Sequence, residues 1–405
     1  MTVKDWCMKV SSATETEPTL KRKSIWILVF SSFTCWLIFC MVGLDWVIQT
    51  VKPLQYIKTK RYVPLEQNPL VSKLPAFFDS KNRPQLLVLG SSLPMEAIAR
   101  YDAEYTGSFD EKNLDAVRKY TGASYLEHLI AEKNGTSMTA FNLTCVACMA
   151  SDAELILRRV VEAGRAPQIV IFGIGPRDFI DNIVPAVGKT PVCRLLTNRI
   201  TLPEIITQAR PLDETRDLLM GQLVYLYKVR GDYKTMLTGW ACDLLSHPAD
   251  LYESNQLAKI EKQQTQTELP QTALKSSSKP AMKRSQFADL PEWKERYLPA
   301  NFERFEKEKT SFENMLATCK KNGIRMIVVN MPLTSENKKL IPDKLYARYK
   351  NEVCKLPAKF GDELIDLDSN KAFKLSDFYD SAHVNSQGGK KVQDLMVSSA
   401  KTLSL

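Results

Sequence analysis

Between Ser24 and Leu44 the chain reads SIWILVFSSFTCWLIFCMVGL and carries no charged side chain. At 1.5 Å of rise per residue, a helix over this run is roughly 30 Å long, the thickness of a bilayer's hydrocarbon core. Trp26 and Trp46 stand near its ends, where indole rings favour the two membrane interfaces. A cleaved signal peptide is the first competing reading. Its apolar region spans about 7–15 residues and ends at small residues, whereas this longer run passes into Asp45-Trp46-Val47. A buried helix of a soluble domain is the second, and a position directly after a polar tail argues against it. The expectation is a polar tail over 1–23 and an uncleaved single-pass anchor over 24–46, with the lipid bilayer as partner. No other segment is long and apolar enough to cross, which excludes a polytopic protein. Lys21-Arg22-Lys23 favours a cytoplasmic N-terminal side, although Lys52, Lys58, Lys60 and Arg61 on the other side weaken the asymmetry. The large C-terminal part is expected to be extracytoplasmic, on the periplasmic or cell-surface side.

The chain as a whole has the composition of a globular protein. Of 405 residues, 44% are hydrophobic and 25% charged, enough apolar material for a full core, which excludes fibrous and wholly disordered chains. Lys+Arg 55 against Asp+Glu 46 leaves +9. Spread along the chain, that excess is not the clustered basic face of a nucleic-acid binder, and no nucleic-acid partner is expected. Cys7, Cys35 and Cys40 lie in the tail and anchor, leaving six cysteines beyond. An even number fits disulfides in an oxidising compartment and buried free thiols equally.

From Gln85 onward, short apolar runs alternate with helical patterns. Gln85–Gly90 (QLLVLG), Ala140–Thr144, Gln168–Gly175 (QIVIFGIG), Ile324–Asn330 (IRMIVVN) and Glu363–Leu367 read as strands. Between them, Asp152–Gly164 and Asn301–Asn322 read as helices, the first ended by Gly164 and the second by Gly323. Strands alternating with helices predict an α/β fold with a doubly wound parallel five-stranded sheet, whose ligand site lies at the carboxyl ends of its strands. The expected organisation is a membrane-proximal linker over 47–84, a first α/β part over 85–246 with a helical insertion, a polar insertion over 247–295, and a second α/β part over 296–405. The stretch KIEKQQTQTELPQTALKSSSKPAMKRSQ has no apolar period and reads as a solvated linker or mobile insertion. Between Pro191 and Trp240, Leu218, Leu219, Leu223, Leu226 and Tyr227 recur at helical spacing.

Two clusters carry chemistry. Gly90-Ser91-Ser92-Leu93 ends the first strand and runs into Pro94-Met95-Glu96, a helix start with proline in its first turn. A serine at such a turn projects its hydroxyl into the cleft, and the helix N-terminus favours developing negative charge. A helix N-cap is the plainer role for such a serine. Near the C-terminal end stands Asp377-Phe-Tyr-Asp380-Ser-Ala-His383-Val-Asn385. Asp380, three residues before His383, can hold one ring nitrogen and leave the other free to take a serine proton.

In this order, the two clusters resemble the SGNH (GDSL-type) hydrolase superfamily, which carries its nucleophile in a Gly-Asp-Ser-Leu block after the first strand and an Asp-x-x-His block at the end. The resemblance covers roughly residues 85–395, and together with the anchor it is similar to the membrane-anchored, envelope-acylation type (DltD-like and alginate O-acetylation-like). It implies flavodoxin-like layering, with Ser92 as nucleophile, His383 as general base and Asp380 as its orienter. The implied chemistry is a serine esterase or O-acyltransferase acting through an acyl-serine on an acylated envelope glycan or a lipid-linked acyl group, beside a multi-pass membrane O-acyltransferase, with no metal or cofactor. The middle blocks depart from the family pattern. Phe141 to Cys148 occupies the place of the oxyanion-hole glycine and has none, so a backbone N–H such as that of Ala147 would have to donate. Gly173-Ile174-Gly175-Pro176-Arg177-Asp178 stands where the third block has an asparagine. Two roles stay open for Arg177: donor to an oxyanion or anionic group, or salt bridge to Asp178 or another carboxylate. The departures keep a rival open, a non-catalytic binding or scaffold protein of an acylation complex. Cys145-Val-Ala-Cys148 lacks the surroundings of a redox pair or zinc site and reads as a local disulfide or two free thiols.

Overall fold

Runs of apolar residues with no polar interruption make strands that can be buried on both faces, and two such strands, flanked by three others, form the centre of the molecule. The computed structural model of the chain describes residues 19–56, 68–81, 83–197, 216, 219–221, 223–246, 286–368, 370–401 and 403. Its strands are β1 (Leu86–Gly90), β2 (Ala140–Asn142), β3 (Ile169–Ile174), β4 (Arg325–Asn330) and β5 (Glu363–Asp366). All pair in parallel, in the order β2-β1-β3-β4-β5. Every residue of β1 and β3 is buried, and their register runs from Leu86 opposite Ile169 to Gly90 opposite Gly173. Each strand lies within two residues of the span its apolar run predicts.

Before, between and after the strands run the helices α1 (Thr19–Val51), α2 (Leu70–Asp79), α3 (Ser92–Thr106), α4 (Leu114–Lys119), α5 (Ser124–Asn134), α6 (Ala150–Glu162), α7 (Arg177–Ile180), α8 (Pro191–Thr197), α9 (Tyr225–Ser246), α10 (Leu290–Tyr297), α11 (Phe302–Lys321), α12 (Ser335–Lys338), α13 (Asp343–Arg348), α14 (Leu356–Phe360) and α15 (Ser386–Ser399). Helices α3, α5 and α15 pack together, as do α6 and α11. With right-handed crossovers, the opposite directions of the β1–β2 and β2–β3 connections put α3 and α6 on opposite faces of the sheet. In α11 the buried stripe is Phe305, Phe312, Met315, Leu316 and Cys319, with each large side chain contributing about 1.5–3 kcal/mol by leaving water. The Asn301 side chain caps its start by accepting from the Arg304 N–H. Because β2 and β3 flank β1 on opposite sides, connections leave in opposite directions and open a crevice at the carboxyl ends of β1 and β3.

Helix α1 runs past both ends of the uncharged sequence run, and its Ser31–Val51 portion is long and apolar enough to span a membrane. Asp45, at the end of that run, accepts hydrogen bonds from the backbone N–H groups of Tyr225 (2.9 Å) and Leu226 (2.6 Å). These are donors that the start of α9 leaves without helical partners, and a carboxylate there also meets the positive end of the helix dipole. The tail over 1–18, Leu218 and the polar stretch over 247–285 lie outside the described residues.

Two segments differ from the sequence-based expectation. The expected linker over 47–84 contains α2, whose Leu70, Leu74 and Phe77 are buried at helical spacing against the core. The polar insertion, expected to reach 295, overlaps helix α10, which begins at Leu290. Trp293 and Tyr297, one turn apart on α10, are buried, and this aromatic face ties 290–297 into the domain.

Candidate active site

Gly90 closes β1 with a φ of +134°. A Cβ there would stand 2.4 Å from the Gly173 carbonyl oxygen, and one on Gly173 would stand 2.6 Å from the Pro94 Cβ. Only this glycine pair lets the first turn of α3 sit directly on the ends of β1 and β3. Ser91 is then extended, and Ser92 becomes the first helical residue. Its hydroxyl therefore lies at the positive end of a 15-residue helix.

The histidine comes from a turn that folds on itself. Phe378 and Val384 form an antiparallel bridge, and the Tyr379 N–H donates to the His383 carbonyl at 2.7 Å. Inside the turn, Asp380 Oδ1 accepts from the backbone N–H groups of Ala382 (2.9 Å) and His383 (2.7 Å). The carboxylate is thereby fixed beneath the ring it serves, with His383 Nδ1 lying 2.8 Å from Asp380 Oδ2. On the other side of the ring, Nε2 lies 2.8 Å from Ser92 Oγ. The fold thus brings Ser92, His383 and Asp380 into one hydrogen-bonded line.

Ser381 anchors this turn. Its hydroxyl donates to Asp289 at 2.6 Å and its N–H to the same carboxylate at 3.2 Å. Its carbonyl accepts from the Thr334 hydroxyl, and its Oγ accepts from Asn337 Nδ2 at 3.1 Å. The Trp293 indole N–H also donates to Asp289, at 2.9 Å, and the indole lies 6.1 Å from the His383 ring. Helix α10 and the residue before it therefore brace the histidine.

Charge around the ring is lopsided. Burial pushes the His383 imidazole toward its neutral form, but Asp380 and then Glu96 outweigh it, and the ring titrates at about 9. For Asp380, burial pushes up, while His383 and the two backbone N–H donors pull harder and hold it at about 2. Glu96 Oε1 stands 4.0 Å from His383 Nε2. Its Oε2 accepts from Arg100 Nε (2.8 Å) and Nη2 (2.7 Å), and the Arg100 guanidinium lies 4.3 Å from the Tyr379 ring centroid. The sequence alone did not single out Glu96 and Arg100. Their signal was spacing: Ser92, Glu96 and Arg100 recur every four residues on one face of α3.

The remaining candidates separate. Ala147 lies in the loop between β2 and α6, which Leu143 and Cys145 tie to β1 by donating to the carbonyls of Val88 (2.9 Å) and Gly90 (3.1 Å). Ala147 has a φ of +57°, the left-handed conformation that favours glycine. Among the described residues its N–H donates to no protein acceptor. Arg177, of the two roles left open, takes the ion pair. It is 3% exposed, with Nη2 on Asp178 at 2.9 Å and Nη1 on Asp181 at 3.2 Å, and Arg296 also meets Asp181 at 2.5 Å. A guanidinium this deep needs carboxylate partners, and Asp178 and Asp181 supply them. Cys145 and Cys148 are buried free thiols. A cavity of about 300 Å³ near the ends of β4 and β5 is lined by Thr334, Lys338, Asp368, Phe373 and Phe378, and by neither Ser92 nor His383. No protein-family model matches the chain, and no curated protein is a significant match to it.

Proposed function

We propose that the chain is a membrane-anchored, SGNH-like serine esterase or O-acyltransferase. What carries the reading is one line of contacts: Ser92 Oγ at 2.8 Å from His383 Nε2, and His383 Nδ1 at 2.8 Å from Asp380. With the imidazole neutral, Nε2 takes the Ser92 proton as Oγ bonds to the acyl carbonyl carbon. The oxyanion forms beside the first N–H groups of α3, which have no helical acceptor. Nε2–H then returns the proton to the departing alkoxide, the ester C–O bond breaks, and an acyl-serine remains. A second hydroxyl, from water or from a glycan, loses its proton to Nε2 and bonds to the acyl carbon; the acyl–Oγ bond breaks, and Nε2–H returns the proton to Ser92.

The asparagine from which the superfamily draws an oxyanion donor is missing from the matching block, Gly173 to Asp178, and Arg177 there is paired with Asp178 and Asp181. That observation favours the rival, a non-catalytic scaffold of an acylation complex. An apolar helix in front of the domain supports a substrate held at the membrane, an acylated envelope glycan or lipid-linked acyl group, on the extracytoplasmic side. A multi-pass O-acyltransferase fits such a site as partner by analogy of architecture.

The test is to expose the full chain in detergent to p-nitrophenyl acetate at pH 9 and measure its intact mass. Stoichiometric release of nitrophenol with acetyl mapped to Ser92 supports the enzyme. A folded protein that releases none, with Ser92 unmodified, supports the scaffold.

A further inference from the structure

We infer that Glu96 is a positioning residue that sets a second negative charge against the serine-facing nitrogen of His383, and that Arg100 governs how much of that charge the ring feels. The kinetic part of this inference rests on the esterase or transferase reading; the electrostatic part does not.

The two oxygens of Glu96 do different things. Oε2 takes both Nε and Nη2 of Arg100. Oε1 accepts no hydrogen bond among the described residues and lies 4.0 Å from His383 Nε2. Both side chains are enclosed, Glu96 at 8% and Arg100 at 1% exposure, so water screens this charge little. Arg100 is itself held, by the Glu111 carbonyl at 2.9 Å and the Tyr379 ring. The other groups around the imidazole are Asp380 from its own turn and Ser92 from α3. Trp293 comes from α10, and Asp289 acts through Ser381, two residues before His383. Of these, Asp380 acts on Nδ1, and Glu96 is the carboxylate on the Nε2 side.

The consequence has two edges. Once the Ser92 proton has moved to Nε2, the imidazolium sits between two carboxylates, which stabilises it. The same charges keep the resting ring protonated at neutral pH, so nucleophile activation waits for alkaline pH. Glu96→Gln keeps the shape and removes the charge, so His383 should titrate about one to two pH units lower. Arg100→Gln removes the counter-charge, so His383 should titrate higher. Local damage would not produce opposite signs.

The chain has three histidines, His128, His247 and His383. NMR of the full chain in detergent, labelled with [13Cε1]-histidine and assigned with His383→Ala, therefore reads the titration without any activity. Fluorophosphonate reaction rates against pH supply the kinetic limb. Opposite shifts in the two variants, matched by the limb, support the inference. An unchanged His383 titration in Glu96→Gln, or shifts of the same sign in both variants, overturns it. Should Arg100→Gln fail to fold, Glu96→Asp replaces it: the withdrawn carboxylate should lower the titration by less than Gln does, and an equal or larger drop counts against the inference. A wild type that reacts with no probe at any pH sinks the catalytic reading while the NMR still decides this one.

Discussion

Gly389 of α15 lies against the backbone of Ala97 in α3, so closely that a Cβ on it would stand 2.3 Å from the Ala97 carbonyl oxygen. Helix α15 begins three residues after His383, and α3 begins at Ser92, so this contact sets the spacing of the two helices that carry the site. Gly389→Ala is expected to push them apart, with destabilisation of about 1–3 kcal/mol from overpacking. Thermal unfolding measures the first effect, and fluorophosphonate labelling of Ser92 at a temperature where the variant is folded measures the second. Labelling should fall well beyond the fraction unfolded; wild-type labelling would show that the contact does not position the histidine.

Asp289 gathers three donors, the Ser381 N–H and hydroxyl and the Trp293 indole N–H. Asp289→Ala leaves buried Ser381 short of partners, a loss of about 1–3 kcal/mol. The turn bearing His383 should loosen, and labelling should slow by about tenfold or more. A rate equal to wild type would mean that Thr334 and Asn337 hold the turn without it.

Asp380 fixes the ring and sustains its charge. Asp380→Asn should slow Ser92 acylation by about 10²–10⁴-fold and move the alkaline limb down, because the partner that raises the His383 titration is gone. Stability carries the same signature with opposite ends. Asp380 titrates at about 2 in the folded chain, below its ordinary 3.8. Its stabilisation is therefore present above pH 4 and lost as pH falls toward 2. Acid unfolding curves of wild type and Asp380→Asn should converge below pH 2 and separate above 4; parallel curves throughout would contradict this.

Lys73 offers a test away from the site. It is fully buried on α2, its Nζ donates to the Thr144 carbonyl at 3.0 Å, and burial lowers it from 10.5 to about 7. Between those values the unfolded chain holds a proton that the folded chain lacks, so Lys73 makes stability rise with pH across that window. Lys73→Met should flatten that rise, giving its largest gain over wild type at pH 7 and below. Urea midpoints from pH 7 to 10 measure it. The opposing contribution of His383, lost as pH climbs through 9, is common to both proteins and cancels in the comparison. Identical pH slopes would show that Lys73 does not titrate there.

Strands β1, β3 and β4 were legible because each is an apolar run closed by a glycine or an asparagine, a signal that belongs to the strand itself. Helix α2 was not, because its buried face has only three apolar residues, Leu70, Leu74 and Phe77, beside a buried lysine, Lys73, and Pro75 interrupts it. Helix α10 hid in a charged segment, since two aromatic residues one turn apart reveal a face only when something covers them. The line of Ser92, His383 and Asp380 could be read in part because Asp380 and His383 share one turn and Ser92 follows a strand-ending glycine. Arg177 could not be decided from its neighbours. Asp178 is adjacent in the sequence, but burial and the convergence of Asp181 and Arg296 are tertiary facts. Glu96 and Arg100 failed for the same reason. An i,i+4 acid–base pair is ordinary on a solvated helix, and only the packing of His383 against it gives it a role.

The most direct test is peptide mass spectrometry of the full chain after exposure to a fluorophosphonate at pH 9, with Ser92→Ala and His383→Ala alongside. An activated serine predicts one adduct, on Ser92, absent from both variants, and forming faster as pH rises from 7 toward 9. A folded wild type with no adduct on Ser92 at any pH, or labelling that persists in His383→Ala, would contradict it.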